Sequence, residues 1–151
     1  MKKFFSALAS ILFGLVTTVK KNDPVQWRFL AKKEGGATYS LNFMAIIQPP
    51  WSLYVEKLNS FEGTLFTIDF EPNIYVIFKE GLHERGTPIQ YHDFIFNDEV
   101  RLYKGSVNFV QLVKIIIDEP VTINGTVYYM VGDGIDMMKT YKKTFVMTLN
   151  D

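Results

Sequence analysis

The chain has 151 residues, no cysteine, and 16 basic against 16 acidic side chains, so it is formally neutral at pH 7. Without thiols it cannot carry out thiol–disulfide exchange, which needs a thiolate nucleophile, and a balanced charge without long like-charged runs argues against nucleic acid as a partner. Apolar residues make up 48% of the chain, and 13 Phe, 8 Tyr and 2 Trp favour strands over helices in what is one domain's length of sequence.

Lys2 and Lys3 precede an apolar run from Phe4 to Val19, after which Lys20-Lys21-Asn22-Asp23-Pro24 turns polar. A basic start followed by an apolar core is the secretory pattern, and the run is shorter than the roughly 20 residues that span a bilayer as a helix. Val16-Thr17-Thr18 departs from a small-residue cleavage site. Residues 1–22 are therefore read as a signal peptide or an uncleaved N-terminal anchor, and residues 23–151 as one exported, periplasmic domain. A lipid-modified N-terminal cysteine is excluded by composition.

Beyond the leader the pattern is one of strands. Val25, Trp27, Phe29 and Ala31 alternate with Gln26, Arg28, Leu30 and Lys32, a period of two with one mostly apolar face. Glu34-Gly35-Gly36 signals a turn, and Tyr39, Leu41, Phe43, Ala45 and Ile47 resume the alternation, so the two segments predict a hairpin. Pro49-Pro50 ends its second strand, since proline removes a ladder donor. Leu53–Asn59 is the one stretch suited to a helical turn or two. Further strands are predicted at Leu65–Phe70, Ile74–Phe78, Val100–Tyr103, Val107–Ile117, Val121–Val131 and Thr144–Leu149, with Gly81–Asp93 a loop. Asn124-Gly125 either splits its segment into two short strands or marks a bulge. Seven or eight short strands at this spacing predict an all-β sandwich.

Four segments resemble the N-terminal periplasmic domain of the DsbD family of thiol:disulfide interchange reductases. They are Asp23-Pro24-Val25-Gln26-Trp27-Arg28-Phe29; Trp51-Ser52-Leu53-Tyr54; Asp93-Phe94-Ile95-Phe96 running into Glu99-Val100-Arg101-Leu102-Tyr103-Lys104-Gly105; and Gly125-Thr126-Val127-Tyr128-Tyr129-Met130-Val131. The resemblance spans residues 23–149 and implies an immunoglobulin-like β-sandwich. In that family the domain relays electrons to periplasmic partners through a cysteine pair that follows the last of these segments. Here Gly132 falls on the first cysteine position and Met137 on the second, and Met138-Lys139-Thr140 replaces Leu-Pro-Pro. A thioether forms neither thiolate nor disulfide, so the relay chemistry is not expected of this chain.

The family also shields its cysteines with an aromatic residue on a cap loop, a position matched by Phe96 with Phe94 beside it. These two are read either as a partner-docking element or as core residues at a strand edge. Asp93, Phe94, Phe96, Asp133 and Met137 are the candidate partner-binding residues.

Other chemistry finds little footing. His83 and His92 with Glu84 and Asp93 would hold a metal only if the intervening loop folded back on itself, and surface histidines are the simpler expectation. Asp133-Gly134-Ile135-Asp136 lacks the oxygen spacing of a calcium loop and reads as a turn. Asn124-Gly125-Thr126 matches a glycosylation acceptor but fits an Asn-Gly turn equally. Ser106 follows Gly105 on the run into a strand, not in a nucleophile elbow. The basic group Lys139, Lys142 and Lys143 suits either an anionic ligand or a guarded sheet edge. The expectation is a non-catalytic module without metal or cofactor that binds a periplasmic or envelope protein. The alternatives are an accessory of a thiol-reductase or cytochrome maturation system and an envelope-anchored structural domain.

Overall fold

The alternation that begins at Val25 does build a hairpin. A computed structural model describes residues 23–149, and in it β1 (Val25–Gly35) and β2 (Thr38–Ile47) pair antiparallel with Trp27 opposite Ala45 and Phe29 opposite Phe43. Gly36 turns the chain with a φ of 57°, a left-handed conformation that glycine adopts without a Cβ clash. The leader expectation for residues 1–22 lies outside the described residues.

Eight more strands follow among the described residues: β3 (Ser52–Lys57), β4 (Thr67–Phe70), β5 (Val76–Arg85), β6 (Ile89–Asp93), β7 (Asp98–Tyr103), β8 (Ser106–Ile115), β9 (Val121–Gly132) and β10 (Met138–Leu149). A four-stranded sheet runs β1-β2-β8-β5, and a six-stranded sheet runs β10-β9-β3-β7-β6 with β4 beside β9. All the pairings are antiparallel. The fold is the expected all-β, immunoglobulin-like sandwich.

Four local expectations are corrected. Leu53–Asn59 is not a helical turn, because Ser52–Lys57 is strand β3. The Gly81–Asp93 loop is mostly strand, with β5 reaching Arg85 and β6 starting at Ile89. Asn124-Gly125 neither splits nor bulges β9, whose register to β10 runs unbroken from Val121↔Leu149 to Gly132↔Met138. A Cβ at Gly125 would sit 2.4 Å from the Asp69 carbonyl oxygen and 2.5 Å from the Phe145 ring, so this glycine lets β4 and Phe145 close on the strand. Finally, β10 begins at Met138 rather than Thr144.

The inward faces of the two sheets share one core. Phe66 stacks on Phe109 with centroids 4.0 Å apart, Phe43 meets Phe145 edge-on at 4.9 Å, and Trp27 lies edge-on to Tyr129 at 5.2 Å. Each such ring contributes about 1.5 to 3 kcal/mol by leaving water. A second, smaller cluster lies apart from this core, built on Tyr54, Val100 and Leu102 with Leu65, Tyr91, Phe96 and Met138 packed against it. Leu53 and Val55 join the main core while Tyr54, between them, joins the small cluster. The small cluster therefore sits on the outer face of the six-stranded sheet.

Candidate functional site

The outer cluster is organised by a buried carboxylate. Asp93, at the end of β6, is 2% exposed. Its Oδ2 accepts hydrogen bonds from the hydroxyls of Tyr54 (2.6 Å) and Tyr91 (3.0 Å), which themselves lie 2.9 Å apart. Its Oδ1 accepts from the backbone N–H groups of Ile95 and Phe96, both at 2.9 Å. Burial opposes the charge, but the bonds from Tyr54, Phe96, Tyr91 and Ile95 outweigh it and hold the carboxyl below the usual aspartate range. Burial, reinforced by the same carboxylate, pushes the Tyr54 hydroxyl far above its ordinary value, so it remains a donor. Tyr91 is raised as well, chiefly by burial.

This arrangement fixes the β6–β7 loop. With Asp93 bonded to the loop's own amides, Phe96 is placed against Tyr54 at 6.2 Å between centroids, with the Lys57 ammonium 5.1 Å from its ring. Asn97 completes the turn with a φ of 55°. Behind the loop, Asp98 accepts from Ser60 (2.5 Å) and from the Asn59 N–H (3.2 Å), and these bonds lower its pKa. The loop is thus pinned at both ends. Phe94 points away from it, 87% exposed, with its ring edge-on to His92 at 5.1 Å.

The β9–β10 loop is built by the same device. Asp133 Oδ1 accepts from the N–H groups of Ile135, Asp136 and Met137 at 2.9 to 3.1 Å, and these bonds lower the pKa of its carboxyl. Ile135 is left 80% exposed and Met137 is exposed beside it. Both loops flank Tyr54: its ring atom Cε1 would lie 2.8 Å from a Cβ at Gly132, while its hydroxyl bonds Asp93. Met138 Sδ would lie 3.0 Å from that same Cβ.

The structure therefore brings Asp93, Phe96, Gly132 and Met138 together around Tyr54, and leaves Phe94, Ile135 and Met137 facing out. The carboxylates of Asp93 and Asp133 are taken up by their own loops. Phe96 is a half-buried member of the small cluster rather than a free aromatic, and Phe94 is the exposed one. Sequence reasoning passed over Tyr54 and Tyr91 as site residues. Tyr54 was legible only as part of the Trp51–Tyr54 segment that carries the family resemblance, and Tyr91 lies in a stretch read as loop.

The histidines stand apart, with His83 on Glu80 at 2.8 Å and His92 on Glu99 at 3.1 Å. Among the described residues no three His, Asp or Glu groups converge as metal ligands would. The most connected cation is Arg101, whose guanidinium bonds Glu56 at 2.8 Å and holds both oxygens of Glu84, to which the Tyr103 hydroxyl also donates. Burial works against the Glu84 charge, yet the bonds from Arg101 and Tyr103 lower its pKa overall, and Tyr103 is pushed up to about 12, chiefly by burial. This network ties β3, β5 and β7 at one edge.

Among solved structures, the fold is similar to the N-terminal periplasmic domain of ScsB from Proteus mirabilis, with a TM-score of 0.57 and 14% identity. The match covers 85% of this chain and 47% of that chain, so the present sequence spans about half of the solved protein's length. At this identity the likeness shows the fold. The GAE domain of yeast GGA1 aligns more loosely, with a TM-score of 0.47 and 11% identity over 83% of this chain and 91% of that one. No protein-family model matches the chain, and no curated protein matches it significantly by sequence.

Proposed function

We propose that this chain is an exported, non-catalytic protein-binding module that docks a periplasmic or envelope protein through the two loops flanking Tyr54. The observation that carries the reading is a set of apolar side chains held outward on loops that are pinned from within: Phe94 and Ile95 on one, Ile135 and Met137 on the other. Exposed apolar anchors on rigid loops bind without a large ordering cost. Export is supported by the basic and apolar N-terminus and by the periplasmic setting of the similar ScsB domain. The absence of thiols supports a role without electron transfer, as does the tyrosine ring that crowds the position of the family's first cysteine.

The test is a pull-down from native envelope extract with the full chain, comparing wild type, Phe94→Ala and Ile74→Ala. Ile74 is equally bare but lies next to Asn73, which bonds the Thr122 carbonyl at the opposite end of β9. A protein captured by wild type and by Ile74→Ala, and reduced at least about tenfold by Phe94→Ala, is expected for a hot-spot aromatic. Its identity then separates an accessory of a thiol-reductase or cytochrome maturation system from an unrelated adaptor. Equal capture by all three forms, or capture by none, counts against docking at these loops.

A further inference from the structure

β9 is flanked on one side by two strands in succession. β3 pairs with Met130–Gly132 and β4 with Gly125–Tyr128, and the intervening chain turns through residues 58–62 and runs back along β3, with Thr64 bridged to Glu56, before β4 begins. The fork leaves a groove of about 540 Å³ whose lining includes Leu65, Met130, Tyr128, Thr67, Thr140 and Lys142. The register explains the lining. Lys142, Tyr128 and Thr67 form one row across the sheet, and Thr140 and Met130 form the next.

Two features point to a ligand. The first is the mixture: a thioether, an aromatic ring and a leucine supply apolar walls, while threonine hydroxyls stand among them, within the size range of small-molecule sites of about 300 to 1,000 Å³. The second is the charge. Lys142 has no carboxylate within ion-pair distance among the described residues, whose ion pairs fall on His83, His92 and Arg101. Lys142 is also the only charged side chain in the lining. One cation over an apolar wall suits a mono-anion with an apolar body and offers little to a polyphosphate, which needs several cations or a cradle of amides.

We propose that this groove binds a small amphipathic carboxylate, with an aromatic or short alkyl body laid against Leu65, Tyr128 and Met130 and its carboxylate on the Lys142 ammonium. Lys142 stands on the edge strand β10, where a lysine also discourages edge pairing, and in the row with Tyr128 and Thr67 its side chain lines the groove as well. The site does not depend on protein docking at the loops. It shares only Leu65 with the Tyr54 cluster.

Phenylbutyrate and its neutral amide, phenylbutyramide, are the probes, titrated into the isotope-labelled full chain while backbone amide resonances are followed. Saturable shifts centred on Tyr128–Met130 and Thr140–Lys142 are expected, with the acid bound at least about tenfold more tightly than the amide, which is about 1.4 kcal/mol. Lys142→Met should weaken the acid by a similar factor and leave the amide unchanged, and Lys142→Arg should retain the preference. The proposal is overturned by shifts that never saturate or centre elsewhere, by equal affinity for acid and amide, or by a Lys142→Met variant that binds the acid as wild type does. None of these results bears on capture of a protein by Phe94, so the two readings fail separately.

Discussion

A side chain at position 132 would meet Tyr54 at 2.8 Å and Met138 at 3.0 Å, well inside the 3.5 to 4.0 Å at which carbon atoms pack best. A cysteine there would need Tyr54 to move, and Tyr54 is held by Asp93 at 2.6 Å and Tyr91 at 2.9 Å. Glycine at this position and placement of the ring therefore go together: the glycine makes room for the tyrosine, and the tyrosine closes the position to anything larger. Gly132→Cys is expected to destabilise the domain by roughly 1 to 3 kcal/mol, the usual cost of overpacking. Urea denaturation measures it. In a Tyr54→Ala background the same substitution should cost less, by at least about 0.5 kcal/mol, because contacting residues couple. An equal cost in both backgrounds would mean that something other than the ring excludes the side chain.

At the scale of strands, legibility followed the number of buried faces. β1 and β2 bury one face each, so their alternation could be read directly. β3 buries Ser52, Leu53, Tyr54 and Val55 in succession, because the main core takes one face and the Tyr54 cluster the other. That erases the period of two and leaves a run mistaken for helix. β5 was read only over its start, at Ile74–Phe78, and its extension to Arg85 was missed for the opposite reason: beyond Val76 its side chains are exposed, its register shifts between Lys79 and His83, and Glu80 takes a φ of 62°. β6 carries little burial before Asp93. The site divides in the same way, since Phe96 and Gly132 were marked by the family resemblance, whereas the Tyr54–Tyr91 pairing across 37 residues leaves no local trace. β9 shows what a single residue does for an element. With a Cβ at Gly125 placed 2.4 Å from the Asp69 carbonyl, Gly125→Ala must push β4 off its ladder. The expected loss is roughly 1 to 3 kcal/mol, with faster hydrogen exchange at the amides of Thr67–Phe70 than elsewhere in the sheet. Unchanged stability would show that β4 has slack to yield.

The molecule as a whole has two packing centres of unequal weight. The sandwich core draws on both sheets, whereas the Tyr54 cluster is covered on its outer side by the β6–β7 loop and depends on one carboxylate for its geometry. Local opening draws on segments with few buried apolar contacts, so this cap should loosen at lower free energy than the core. Acid supplies the lever. Because the folded state holds the Asp93 carboxyl below its unfolded value, the stabilisation it gives is fully present above about pH 4 and is lost as pH falls through the lower, folded pKa. Protonation removes the charge from four hydrogen bonds at once, those from Tyr54, Tyr91, Ile95 and Phe96. In an NMR pH titration the amide resonances of Ile95 and Phe96 should therefore move together with a midpoint below that of an ordinary aspartate. Amides of β2 and β8 should stay in place until the domain unfolds. Asp93→Asn should abolish the titration at both loop amides. A midpoint at or above about pH 4, or simultaneous movement of β2, β8 and the loop, would join the cap to the core as one cooperative unit and remove its standing as a separable element.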